Sequence, residues 1–415
     1  MSKRRVVITG LGAVTPLGLT VPDSWQAAGE GVCGIGPITQ YDAAGKKVTL
    51  AAEVKGFDPT RYFTPMEAKH MGRFTQLALA AAKEALSDSG IVPESLDLDR
   101  CGVIVSSGIG GQAITETECL KGAERNWDRV SPYYIPTAIC NMAAGQIAIH
   151  AGFRGMCSCP VTACAGGTNA VGDAFRYIRD GYADCMLCGG TESSITPLSV
   201  GGFTSMKALS QAKDPSRASI PFDKERSGFV MGEGAGILLL EELDHALARS
   251  AKIYAEFVGY GASCDAYHMT APRPDGSGGA KAMALALADG GVKPEAVDYI
   301  NAHGTSTPLN DAGETAAVKT VFGPHARRLL ISSTKSMTGH MLGAAGAVEA
   351  IFTALALRDG FVPATINYQV PDEACDLDVT PNQGRKVPLA YALSNSLGFG
   401  GHNASILLKK WEGGQ

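Results

Sequence analysis

Cys164 stands in Thr162-Ala163-Cys164-Ala165-Gly166-Gly167, a run of small residues around one thiol. A thiol in the first turn of a helix sees the positive end of the aligned peptide dipoles, which favours the thiolate, the nucleophilic form. Free cysteine, with a pKa of about 8.5, is only a few per cent ionised near neutrality; a lowering of roughly two units makes the thiolate the major species. The stretch is equally compatible with a small buried cysteine in a tight turn. Further chemistry lies downstream: His303 in Asn301-Ala302-His303-Gly304-Thr305-Ser306-Thr307, and both Lys335 and His340 in Lys335-Ser336-Met337-Thr338-Gly339-His340. A single histidine at a strand end is commonly a structural hydrogen-bonder. Two of them, with a lysine and a small-residue thiol turn, point to nucleophilic catalysis.

These residues need elements to hold them. After Cys164, Val171, Ala174, Phe175 and Ile178 recur at i, i+3, i+4 and i+7, which predicts a helix stopped near Gly181. Residues 297–300 and 329–333 read as strands that deliver the two histidine segments. In an alternating α/β sheet the C-terminal strand edge is where ligands bind, so both histidines fall where a site is expected. Gly343-Ala344-Ala345-Gly346 opens an apolar helix over 348–357, with Glu349 among its small neighbours. Elsewhere, residues 102–106, 185–188 and 237–241 read as buried strands, and Thr64-Pro65-Met66-Glu67 as a capping box.

An internal echo organises the whole. Residues 85–97 and 286–298 share Ala-Leu, Asp, Gly, Pro-Glu and Asp at a constant offset of 201 (286 less 85). Each copy reads as a helix end, a turn and the start of a strand, so a duplicated α/β unit is expected. The halves are set at 1–250 and 251–415, with an excursion at 112–160 that lacks clear alternation.

Composition narrows the classes. With 45% hydrophobic and 19% charged residues the chain reads as a soluble globular protein, and a net charge of -5 gives no support to nucleic-acid binding. Met1-Ser2-Lys3-Arg4-Arg5 precedes too short an apolar run for a signal or anchor, and no stretch is long enough to span a bilayer, so a cytoplasmic location is expected. The eleven cysteines are read as reduced thiols. Cys157-Ser158-Cys159 and Cys185-Met186-Leu187-Cys188 lack a second pair at metal-binding spacing, so no metal is expected. Gly10-Leu11-Gly12 imitates a dinucleotide fingerprint, but Thr15-Pro16 stands where the third glycine belongs.

The set Thr162-Ala163-Cys164, Asn301 to Thr307, Lys335 to His340, Gly398-Phe399-Gly400-Gly401 and Pro221 to Gly234 resembles the β-ketoacyl-acyl-carrier-protein synthases of the thiolase superfamily, above all their elongating members. The likeness covers essentially the whole chain. It implies a duplicated thiolase-like fold, two similar α/β halves in a five-layered αβαβα arrangement. It also implies a decarboxylative Claisen condensation, in which Cys164 takes the acyl chain and malonyl-acyl-carrier protein extends it by two carbons in fatty-acid elongation.

The resemblance assigns the remaining roles. His303 and His340 would stabilise the enolate, and the backbone N–H groups of Cys164 and Phe399 would form the oxyanion hole. Lys335 would pair with Glu349 and orient the histidines. Thr270, Thr305 and Thr307 would contact the pantetheine arm, Ile109 and Phe203 would line the acyl pocket, and Phe399 would act as a gate between acylation and malonyl admission. Lys69, Arg73 and Lys207 could meet an acidic acyl-carrier protein. No cofactor is implied beyond the phosphopantetheine arm carrying the substrates, and a homodimer is. His340, where initiating enzymes carry Asn, argues for an elongating enzyme. Ala165-Gly166-Gly167 and Cys157-Ser158-Cys159 depart from the family's commoner hydroxyl residues. A ketosynthase of a polyketide or other secondary pathway, a non-catalytic carrier-binding partner and a Cys-His hydrolase stay open as alternatives.

Overall fold

The computed structural model describes residues 3–413; Met1 and Ser2 of the basic N-terminus lie outside the described residues. Ten strands form one sheet: β1 (Val6–Val14), β2 (Cys101–Ser106), β3 (Cys157–Ser158), β4 (Cys185–Glu192), β5 (Gly234–Glu242), β6 (Ala255–Cys264), β7 (Tyr299–Asn301), β8 (Leu330–Ser332), β9 (Tyr391–Gly398) and β10 (His402–Lys410). Their spatial order is β8-β7-β9-β10-β6-β1-β5-β4-β2-β3. Read outward from the centre, β1-β5-β4-β2-β3 and β6-β10-β9-β7-β8 run through the same sequence of positions. In each set the three outer strands are parallel and the inner ones antiparallel. The sets join where Val6, Val7 and Ile8 pair with Phe257, Glu256 and Ala255.

Helices cover both faces. The outer ones are α1 (Arg73–Ser89) and α2 (Met142–Ala151) on the first set, and α4 (Ser277–Gly290) with α5 (Pro308–Phe322) on the second. Between the sets lie α3 (Gly166–Arg179) and α6 (Ala345–Asp359), each touching strands of both. This makes the five layers of a thiolase-like fold. Strands covered on both faces read as unbroken apolar runs, and Ile237-Leu238-Leu239-Leu240 of β5 is wholly buried for that reason. Helix α6 is buried along its entire length from Ala345 to Leu357. The central layer is tight because small residues meet there. A Cβ on Gly172 of α3 would lie 2.4 Å from the Tyr260 ring, and one on Gly346 of α6 would lie 2.1 Å from Thr168 Oγ1.

The echo falls on equivalent places. One copy runs from the end of α1 through the turn Pro93–Ser95 towards β2, the other from the end of α4 through the turn Pro294–Ala296 towards β7. The capping box at Thr64 is formed, but its helix ends at Lys69, and α1 begins after Gly72, where a Cβ would stand 2.6 Å from Thr137 O. The stretch 112–160, read as lacking alternation, contains helices at Gln112–Glu124, Tyr134–Ala138 and Met142–Ala151. Cys185 and Cys188 are buried in β4. Among the described residues, no helix is long and apolar enough to cross a membrane.

Candidate active site

Cys164 lies in a single 3-10 turn, Ala163–Ala165, that leads into α3. Ala163 adopts φ 49, a left-handed conformation costly for a residue with a Cβ, so the turn is held by its surroundings. Part of that hold is the β9 end, where a Cβ on Gly398 would come within 3.2 Å of the Cys164 backbone nitrogen. The Phe399 backbone N–H and that of Cys164 itself both donate toward the sulfur. The position at a helix start favours the thiolate, but burial works against it. Burial pushes the thiol up to about 11, outweighing the Lys335 charge and the two N–H groups, while Glu192 pushes in the same direction as burial.

His303 follows β7 and is 2% exposed. Its loop hangs on Glu314 of α5, which accepts from the N–H groups of His303 at 2.9 Å and Gly304 at 2.8 Å. His340, also 2% exposed, donates its N–H to Val230 O at 2.7 Å and accepts from Gly232 at 2.8 Å. The two imidazoles stand edge to face with centroids 5.2 Å apart. Nδ1 of His303 and both ring nitrogens of His340 are buried and have no hydrogen-bond partner among the described residues. Burial, then the Lys335 charge, holds both rings well below the ordinary histidine value, so they are neutral N–H donors.

Lys335 begins the short helix Lys335–Thr338 and forms a buried ion pair with Glu349 of α6. Glu349 Oε2, the Asn301 amide and Ser394 Oγ are likewise buried with no hydrogen-bond partner among the described residues. Among the described residues no group of three or more His, Cys, Asp or Glu is arranged to hold a metal ion.

A cavity of about 750 Å³ opens from Cys164, His303 and His340 to the surface. Ile109, Phe203, Phe399, Thr270, Thr305, Thr307 and Lys207 are among the residues that line it. The hydroxyls of Thr305 and Thr307 hydrogen-bond to each other at 2.9 Å. Phe203 and Phe399 meet at 6.2 Å between centroids. Of the expected docking cations, Lys69 and Lys207 are exposed, and Arg73 is part-buried with its guanidinium paired to the buried Glu233, at 2.7 and 2.9 Å.

Three residues escaped the sequence reading: Glu314, Glu233 and Glu192, buried carboxylates whose partners are backbone and side-chain donors on distant segments. The available signal was an acidic residue inside an otherwise small or apolar stretch, the signal already used for Glu349.

Comparison with known proteins agrees with this geometry. The N-terminal domain of beta-ketoacyl synthase matches residues 3–246 and its C-terminal domain residues 254–369. A 3-oxoacyl-[acyl-carrier-protein] synthase 2 of Synechocystis is 53% identical over 413 residues, 99% of both chains. One from Staphylococcus aureus is 49% identical over 409 residues, again 99% of each. Among solved structures, a beta-ketoacyl synthase of Burkholderia phymatum superposes with a TM-score of 0.92 at 35% identity, covering 99% of this chain and 100% of its own. A type II ketosynthase solved with its acyl-carrier protein and bound to a hexaketide gives 0.91 at 38%, with the same coverage. A thiol turn, two neutral histidines and a buried Lys-Glu pair at one cavity, in a chain alike to these from end to end, mark it as a member of the beta-ketoacyl synthase family.

Proposed function

We propose that this chain elongates acyl chains held on acyl-carrier protein by decarboxylative Claisen condensation, with Cys164 as nucleophile. The observation that carries the reading is the convergence of the Cys164 sulfur, two backbone N–H donors and two neutral, unpartnered imidazoles on one open cavity. The thiol attacks the acyl thioester, the carrier thiolate leaves, and the Cys164 proton passes to it. Malonyl-carrier then loses CO2, and His303 and His340 donate to the thioester oxygen as negative charge develops there. Each such donor contributes about 3 to 4 kcal/mol in comparable sites. The enolate carbon attacks the acyl carbonyl, whose oxygen turns toward the N–H groups of Cys164 and Phe399. Collapse expels Cys164 as thiolate and releases a β-ketoacyl-carrier two carbons longer.

Lys335, paired with Glu349, keeps both rings neutral and oriented. Thr270, Thr305 and Thr307 receive the pantetheine arm, and Lys69 and Lys207 meet the acidic carrier. The steps need no cofactor beyond that arm, and the work is done in the cytoplasm. A homodimer is supported by the open outer edge of β3 and the exposed apolar side chains near it in sequence, among them Trp127, Ile135, Ile139, Met156 and Val161. Sedimentation giving a monomer at working concentration would remove that part.

The test is intact mass after incubation with acyl-carrier: Cys164 gains the acyl mass, and adding malonyl-carrier releases a β-ketoacyl product. No mass gain would leave a carrier-binding partner, and free acid would indicate a hydrolase. The 38% identical ketosynthase bound to a hexaketide favours a second reading, polyketide extension. In that case one carrier would be extended repeatedly with its keto groups retained.

A further inference from the structure

The last residue of β4, Glu192, is wholly buried and takes no part in the steps above. Its Oε2 accepts from the N–H groups of Gly108 at 2.8 Å and Gly343 at 3.2 Å. Its Oε1 accepts from Ile109 N–H at 3.3 Å and from the hydroxyls of Ser107 at 3.2 Å and Ser194 at 3.0 Å. One carboxylate therefore ties together a loop after β2 and a turn that follows His340. Both segments present a side chain to the cavity beside Cys164: Ile109 from the first, Leu342 from the second.

The tie is under load. Leu342 sits at φ 45, a left-handed conformation that a leucine adopts only when its neighbours impose it, and the next N–H is the one given to Glu192. The loop packs closely on the carboxylate: a Cβ on Gly108 would stand 2.8 Å from Glu192 Oε2. A carboxylate is acceptor-only with about four lone-pair sites, one fewer than its five donors, three of which share Oε1; an amide of the same shape offers one acceptor oxygen and turns an NH2 against the remaining N–H groups.

The imidazoles are anchored elsewhere, His303 through Glu314 and His340 through Val230 and Gly232. We infer that Glu192 is a positioning residue that locks Ile109 and Leu342 into one wall beside Cys164 and thereby sets which acyl chains the thiol accepts. The inference rests on the condensing reading above and names a determinant of its acyl specificity.

The full-length Glu192→Gln variant tests this against wild type. Acylation of Cys164 by carriers of short and long saturated chains is followed by intact mass, and malonyl-carrier decarboxylation is assayed on the same preparations. The ratio of acyl transfer to decarboxylation falls about tenfold or more, since displacing a positioned wall by an ångström is enough for that, and the loss grows with chain length. Ser194→Ala, which removes a single donor, moves the ratio the same way by less and decides the matter should Glu192→Gln not fold. A parallel fall of both half-reactions, a loss independent of chain length, or an unchanged ratio overturns the inference. Failure of wild type to acylate Cys164 would instead overturn the condensing reading.

Discussion

The ring of His340 meets that of His303 at 85°, with centroids 5.2 Å apart and no hydrogen bond between them. Two donors so arranged converge on a single acceptor without blocking each other, and their value is in the charge that develops there. His303→Ala and His340→Ala each lower malonyl decarboxylation by about 10²- to 10³-fold while acyl transfer to Cys164 persists. Carbon dioxide release and intact mass, measured on one preparation, separate the two. Normal decarboxylation in either variant contradicts the donor role. Cys164→Ala should do the reverse, abolishing acylation with decarboxylation still detectable.

The same rings fix a pH response. Burial and Lys335 hold both well below the usual histidine value, so the neutral donor form persists on acidification. Decarboxylation by the Cys164→Ala variant should stay level from about pH 8 to pH 6, a range over which a histidine at its ordinary value near 6.5 would lose about three quarters of its neutral form. A midpoint near 6.5 in that profile would refute the assignment.

The buried thiol titrates the other way. With Cys164 pushed up to about 11, the thiolate fraction of the free enzyme rises about tenfold per pH unit through the neutral and alkaline range. Iodoacetamide labelling of Cys164 should climb with pH and show no plateau below about pH 10. An early plateau, near pH 7, would mean that the helix end and Lys335 outweigh burial.

Lys335 and Glu349 are each almost completely buried and face one another. Lys335→Ala strands a carboxylate in the core and should cost about 3 to 5 kcal/mol in denaturant unfolding. Replacing both, Lys335→Met with Glu349→Leu, should recover most of that stability while leaving the site inactive.

The contact of Gly346 with Thr168 offers a packing test. A methyl group at 346 must displace an oxygen 2.1 Å away, so Gly346→Ala should lose about 1 to 3 kcal/mol. Gly36, with nothing within 4 Å of its Cβ position, serves as a control expected to change stability by about 0.5 kcal/mol or less. Equal melting temperatures would deny the central layer its tightness.

Much of the site is legible because chemistry-bearing residues sit in short local patterns: a thiol among small residues, and a histidine after each of two strands. Glu349 stands out as the one charge in the apolar run 345–357. What sequence patterns could not supply is burial. The Cys164 turn reads locally as a helix start that favours the thiolate, yet its environment comes from β9 and from a turn near residue 342, far along the chain. Glu192 was invisible for the same reason, since its donors lie 83 to 85 residues earlier, two residues later and 151 later. Arg73 read as a docking cation because its partner Glu233 is 160 residues away. The helix Gln112–Glu124 went unseen because only Gly122 of it is buried, which leaves no apolar stripe to read.

Helix α6, sealed from Ala345 to Leu357, lies beside α3 between the two strand sets. Each half thus lends the other the cover for one of its sheet faces. Cut at the junction, either piece would turn a face of leucine, isoleucine and valine to water, and each would precipitate or seek another copy of what it lost. The outer helices each rest on one set alone, but the central pair makes the two halves stand or fall together.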